Sequence, residues 1–119
     1  MRGRDTTITN PSTDQETTFT FDRSYWSHDR NPFDANAPAF ATQATVFDDL
    51  GRDVLENAWA GYNVCLFAYG QTGSGKSYSM VGPPEVRDAD EDEGIVPRAC
   101  RAIFERIAEA ENRARGWKK

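Results

Sequence analysis

Cysteine, basic charge and long apolar runs are all scarce in this 119-residue chain. Its two cysteines, Cys65 and Cys100, are too few for a disulfide framework and have apolar sequence neighbours, so we expect reduced, packed thiols in the cytoplasm. With 14 Lys and Arg against 19 Asp and Glu, the chain lacks the basic footprint of nucleic-acid-binding proteins, which argues against a nucleic-acid partner. No apolar run approaches the roughly 18 residues that cross a bilayer, so we expect no membrane insertion.

Acidic charge is concentrated in one place. Residues 88–93 carry five of the 19 Asp and Glu residues, and the chain as a whole has a net charge of −5. Because packing like charges together is costly, such a run is usually a solvated loop. We therefore interpret residues 88–93 as a solvated, exposed loop.

The apolar residues that are present, 38% of the chain, suffice for one modest core. Residues 1–17 are polar and rich in turn formers, which predicts either a flexible terminus or a weak edge hairpin. From residue 18 the pattern alternates, placing Phe19 and Phe21 on the same side of a strand with one buried face. We therefore expect a flexible, polar N-terminal segment at 1–17 and a single domain over 18–119.

Two helices are predicted from apolar spacing. The first begins at Thr42, a suitable N-cap, and ends at Gly61, and the second contains Pro97 in its first turn and ends at Gly116. Apolar residues recur at intervals of three and four in both. These are Phe47, Leu50, Val54 and Ala58 in the first, and Val96, Cys100, Ile103, Phe104 and Ile107 in the second.

Between the helices, residues 63–69 read Asn-Val-Cys-Leu-Phe-Ala-Tyr, a nearly continuous apolar run. A run without alternation is typical of a strand buried on both faces. A helix, a buried strand and another helix in succession predict an α/β layer architecture.

The residues that follow this strand match the phosphate-binding loop pattern G-x-x-x-x-G-K-[ST]. Glycines let the backbone curl around a phosphate chain, whose charge is met by inward N–H groups and a helix N-terminus. The lysine suits the β and γ phosphates, and the final hydroxyl suits Mg²⁺. A chance glycine-rich turn is the alternative, but the flanking buried strand and helix-compatible residues favour the motif. The predicted phosphate-binding residues are Gly70, Gln71, Thr72, Gly73, Ser74, Gly75, Lys76 and Ser77.

Read with its flanks, the loop resembles that of kinesin motor domains. Residues 67–72, Phe-Ala-Tyr-Gly-Gln-Thr, are a narrower signature than the phosphate loop itself, and residues 19–22, 42–47 and 94–99 are similar to kinesin segments in the same order. Residues 24–28, Ser-Tyr-Trp-Ser-His, resemble the third kinesin class, which carries vesicles and organelles along microtubules. The likeness covers roughly residues 18–112.

The resemblance implies a P-loop NTPase fold, present here as a partial motor domain, with ATP and Mg²⁺ as cofactors. It places the ATP phosphates on residues 70–77, with Lys76 at the β and γ phosphates and Ser77 on Mg²⁺. Tyr78 stands where kinesins place a ring near the adenine, although a half-buried helix residue is an equal interpretation. The implied partner is the microtubule and the implied location is the cytoplasm and cytoskeleton, whereas the cargo is not implied.

Three elements of the family, two switch motifs and an adenine-holding motif, have no match in these 119 residues. Kinesins position the attacking water with an Asn-x-x-Ser-Ser-Arg-Ser-His switch and sense the γ-phosphate with an Asp-Leu-Ala-Gly-Ser-Glu switch, and neither motif occurs here. No residue is therefore assigned as catalytic, and we expect the chain alone to be inactive in hydrolysis, because phosphoryl transfer needs all these groups together. The adenine-holding Arg-x-Arg-Pro element of kinesins has no match in residues 1–17 either.

Two functions stay open at this point. The chain is either the ATP-binding part of a longer microtubule motor ATPase or a naturally short, non-catalytic nucleotide-binding or interaction module. A small-molecule P-loop kinase fits the phosphate loop but not residues 67–72 or the turn at 94–98.

Overall fold

A computed structural model describes residues 4–28, 39–84 and 91–116. The chain divides into two compact units, Met1–Ala41 and Thr42–Lys119. The expected boundary between residues 17 and 18 stays a prediction.

The first unit contains a β-hairpin. Strand β1 (Asp5–Thr9) pairs antiparallel with β2 (Glu16–Thr20), so of the two alternatives for residues 1–17 the structure has the hairpin. The turn is closed by Asp14, whose φ is 52° and whose N–H donates to the Asn10 carbonyl at 2.9 Å. Polar cross-strand pairs, such as the Thr7 and Thr18 hydroxyls 2.9 Å apart, support the ladder.

The prediction that Phe19 and Phe21 lie on the buried face of a strand is wrong. Phe19 and Phe21 are 47% and 49% exposed, and β2 begins at Glu16 and ends at Thr20, before Phe21. A two-stranded hairpin has no second layer of its own to cover its rings, so alternation alone does not bury them.

The second unit begins with the first predicted helix. It consists of α1 (Gln43–Val46), a π-helical turn (Phe47–Gly51) and α2 (Arg52–Trp59). Thr42 is the N-cap as predicted: its hydroxyl accepts from the Thr45 amide at 3.2 Å, and its own amide donates to the Thr45 hydroxyl at 3.3 Å. Gly61, with φ 92°, follows the helix end as expected.

The glycine inside this helix has a packing reason. A Cβ at Gly51 would collide with the Phe47 ring, which is itself only 6% exposed. Glycine therefore makes room for the principal apolar contact of the helix, and this offsets its poor helix propensity.

Two further helices complete the unit. The short α3 (Lys76–Met80) follows the glycine-rich loop, and the long α4 (Ile95–Gly116) has Pro97 in its first turn and Gly116 at its end. The predicted apolar stripe of α4 is largely uncovered, since Val96, Ile103 and Ile107 are 44%, 38% and 39% exposed and Phe104 is 71% exposed. No helix of the described ranges is long and apolar enough to cross a membrane.

Residues 63–69 are the largest departure from expectation. They form no strand, and Phe67 and Tyr69 are 74% and 84% exposed. Within the described part of the chain the only strands are β1 and β2, which pair with each other, so this run has no ladder to join. The expected burial of both cysteines is also wrong, because Cys65 in this run and Cys100 in α4 are free and exposed.

Candidate functional site

The glycine-rich loop lies between the exposed apolar run and α3, so the helix that the phosphate-loop motif requires follows the loop, whereas the expected strand before it is not formed. Gly73 and Gly75 have φ values of 81° and 89°, a region that side-chain-bearing residues rarely adopt. The Ser74 amide donates to the Gln71 carbonyl at 3.2 Å, which closes a turn within the loop. Gly75 then serves as N-cap, so α3 begins at Lys76, close to where the sequence predicted.

Lys76 lies across this loop. Its Nζ donates to the carbonyl oxygens of Gly70 at 2.8 Å and Gln71 at 2.6 Å. An ammonium group has three N–H donors, so two are engaged with the loop and one remains for another acceptor. The cation is thereby fixed over the turn that carries the glycines.

The other predicted loop residues are accessible. Gln71, Thr72, Ser74 and Ser77 are exposed, and Ser77 lies in the first turn of α3. The Ser77 carbonyl accepts from the amides of Val81 and Gly82 at 2.8 and 3.2 Å, which anchors its backbone while its hydroxyl stands at the helix start. A single accessible hydroxyl suits Mg²⁺, because this ion usually keeps several waters and takes further oxygens from phosphates.

Tyr78 combines features of both interpretations given above. Its side chain is 46% exposed, and its hydroxyl donates to Asp92 Oδ1 at 3.0 Å. Its backbone carbonyl accepts from Gln43 Nε2 at 2.6 Å. The Tyr78 backbone is thus anchored by α1 and its hydroxyl by Asp92 of the acidic run, while the ring stays partly exposed.

Three residues around the site were missed by sequence reasoning. Gln43 is a buried polar residue, 7% exposed, whose Nε2 also approaches the Asp92 carbonyl at 3.4 Å. Glu93 is 5% exposed and forms a two-oxygen contact with Arg101 Nη2, its Oε2 lying at 2.6 Å. Arg98 donates to the carbonyls of Glu93 and Glu91, each at 2.8 Å.

The interpretation of the acidic run as fully exposed is therefore wrong at Glu93, while residues 85–90 lie outside the described residues. A signal was available in the sequence: Glu93 stands two residues before α4, where a carboxylate meets the positive end of the helix dipole. Gln43 gave no comparable signal, because nothing in the sequence marks a polar residue next to a helix cap as buried.

A glycine-rich loop that leads into a helix beginning with Lys and Ser is the arrangement typical of the P-loop NTPase fold. The model of the kinesin motor domain family matches residues 2–118. The chain belongs to this family.

Similar proteins agree with this assignment. The chain is 53% identical over 97 residues to Kinesin-related protein 1 of Dictyostelium discoideum, and 51% identical over 108 residues to Kinesin-like protein unc-104 of Caenorhabditis elegans, with 82% and 90% of this chain covered. A solved structure of KIF14 with ADP in complex with a microtubule matches 92% of this chain at a TM-score of 0.74 and 43% identity. The expected likeness to the third kinesin class and the expected P-loop fold are confirmed.

The match is one-sided in length. The chain spans 4% of the Dictyostelium relative, 6% of the nematode one and 27% of the KIF14 chain. It thus corresponds to a part of a motor domain, with the hairpin, the phosphate loop and its flanking helices.

Proposed function

We propose that this chain is the ATP-binding part of a kinesin-type microtubule motor, and that residues 70–77 hold the phosphates of Mg-ATP. The observation that carries the proposal is the arrangement of Lys76 over a positive-φ glycine loop at the start of α3. Kinesin relatives at about half identity, and a KIF14 structure with ADP, support nucleotide as the ligand.

The proposed roles follow from chemistry at each position. Lys76 contributes its third N–H and its full charge to the β and γ phosphates. Ser77 offers a hydroxyl ligand to Mg²⁺, which would neutralise the phosphate charge when bound. Tyr78 presents a partly exposed ring one residue further on, where an adenine could stack.

Movement belongs to the whole motor. Neither switch motif occurs in the 119 residues, so we expect binding of Mg-ATP without turnover by this chain. Hydrolysis and contact with microtubules, in the cytoplasm on the cytoskeleton, would need residues beyond these.

Calorimetry of Mg-ATP binding to the 119-residue chain tests the proposal. Lys76→Ala should weaken binding by about 100-fold, because it removes the one full charge inside the loop. Arg113→Ala is the matched control: it removes a cation from an exposed pair at 3.4 Å on α4 and should change nothing. Absence of binding by folded wild-type chain, or equal losses in both variants, would refute the proposal.

A second candidate is a naturally short nucleotide-binding or interaction module. It predicts the same binding and the same effect of Lys76→Ala. A transcript that continues in frame past Lys119 into both switch motifs supports the motor, whereas a stop codon at that point supports the short module.

A further inference from the structure

Three elements of the second unit meet at Tyr78. Gln43, the first residue of α1, donates to the Tyr78 carbonyl at 2.6 Å, and Asp92, just before α4, accepts from the Tyr78 hydroxyl at 3.0 Å. Gln43 Nε2 also approaches the Asp92 carbonyl at 3.4 Å. The backbone of Tyr78 is therefore tied to Gln43 and its side-chain tip to Asp92, and these two partners also contact each other.

The segment that carries Asp92 is itself held in place. The Gly94 amide donates to the Val81 carbonyl at 3.1 Å, and a Cβ at Gly94 would lie 2.5 Å from backbone atoms of Met80 and Val81. From the other side, Arg98 binds two of its carbonyls at 2.8 Å and Arg101 binds the buried Glu93 carboxylate. Asp92 is thus a fixed acceptor and not the tip of a free loop.

We propose that Asp92 and Gln43 are positioning residues that hold the Tyr78 ring for a nucleobase, so that Asp92 contributes to the preference for a nucleotide over a bare polyphosphate. The proposal rests on the proposed function, which supplies the nucleotide. The Tyr78 hydroxyl lies on the axis of the second side-chain torsion, so its bond to a fixed acceptor restrains the first torsion and with it the position of the ring. A ring that is already restrained loses less freedom when a base stacks on it, which strengthens binding without a new contact to the ligand.

Comparison of Mg-ATP with Mg-tripolyphosphate tests this step, because tripolyphosphate carries the phosphates without the base. Asp92→Ala and Tyr78→Phe should each weaken Mg-ATP by about fivefold, the usual effect of one hydrogen bond, and leave tripolyphosphate unchanged. The double variant should be no weaker than either single one, since both remove the same bond. Asp92→Asn keeps an acceptor oxygen and should retain most of the affinity for Mg-ATP.

Asp92→Asn removes the same charge but keeps an acceptor oxygen, so any effect of the charge itself appears in that variant, and comparison of Asp92→Ala with Asp92→Asn isolates the hydrogen bond. Asp53→Ala, which removes an exposed carboxylate from α2, is the control for charge and should leave the ratio of the two dissociation constants, for Mg-ATP and for tripolyphosphate, as it is.

Each alternative outcome is decisive. An unchanged ratio in Asp92→Ala refutes the positioning role, and parallel weakening of both ligands would show that Asp92 only supports the fold. Wild-type chain that binds tripolyphosphate as tightly as ATP refutes a contribution of the base to affinity while leaving phosphate binding intact. Wild-type chain that binds neither refutes the proposed function and this inference with it.

Discussion

Residues 63–69 and residues 91–94, two segments beside the phosphate loop, each have the opposite exposure to solvent from the one that their composition predicts. Residues 63–69 are apolar, yet Phe67 and Tyr69 are 74% and 84% exposed. Residues 91–94 continue an acidic run, yet Glu93 is 5% exposed and lies between an arginine and the end of α3. Composition states what a side chain prefers, but the environment it receives depends on the partners that the chain supplies.

The two segments differ in those partners. Residues 91–94 are contacted by three elements of their own unit, through Gln43, Tyr78 and Arg98. Residues 63–69 need sheet neighbours, and the described part of the chain offers none. The chain spans 27% of the KIF14 chain that it matches, which accords with a strand whose neighbours come from elsewhere in a motor domain.

The largest effect is expected from one substitution made at two phenylalanines. Phe47→Ala, at a 6% exposed ring, should lower the free energy of unfolding by about 3–5 kcal/mol. Phe67→Ala, at a 74% exposed ring, should lower it by less than about 0.5 kcal/mol. Urea unfolding followed by far-UV circular dichroism measures both. Equal losses would mean that residues 63–69 are buried in solution, as their pattern predicts.

The second prediction concerns residues 91–94, at the point where Gly94 lies closest to the backbone of Met80 and Val81. Gly94→Ala places a methyl group 2.5 Å from the backbone of Met80 and Val81, which cannot rotate away, and should cost about 3 kcal/mol. Gly116→Ala at the end of α4 meets nothing within 4 Å and should be neutral or stabilise by about 0.5 kcal/mol. The same unfolding measurement applies, and a tolerated Gly94→Ala would show that this contact is looser than described.

The third prediction concerns the Glu93 carboxylate, which the acidic composition of its segment predicts to be exposed but which is buried. Glu93→Gln breaks the ion pair with Arg101 and should cost about 2 kcal/mol, less than for a fully buried pair because Arg101 is 39% exposed. Glu109→Gln, in an exposed pair with Arg113 on the same helix, should cost at most about 0.5 kcal/mol. If the two losses are alike, Glu93 is solvated after all.

Local signals were read correctly from the sequence where they depend on few neighbours. Thr42 as N-cap, Gly61 after the helix and the helix start near Gly75 each follow from the chemistry of adjacent backbone groups. The glycine-rich turn of residues 70–77 could be predicted for the same reason, since its residues are consecutive, while its binding of phosphate stays a prediction.

The environment of longer-range contacts was not predictable. Burial of Gln43 depends on Tyr78 and Asp92, which are 35 and 49 residues away in the chain. Exposure of Phe67 likewise depends on strands that the apolar pattern presumes but cannot supply. A sequence pattern shows which residues could form a contact surface, but whether a partner surface covers them depends on the rest of the fold.

The smallest effect is expected where α2 meets α4, a contact that involves neither of the two segments. Arg106 Nη1 lies 2.6 Å from Glu56 Oε1, and its guanidinium lies 4.5 Å from the centroid of the Trp59 ring. Arg106→Gln should cost about 1 kcal/mol in urea unfolding, since it removes a partly exposed ion pair and a cation–π contact together. Arg106→Lys keeps the charge but loses the flat guanidinium, so it should cost less. Full retention of stability in Arg106→Gln would mean that the two helices are held by their apolar contacts alone.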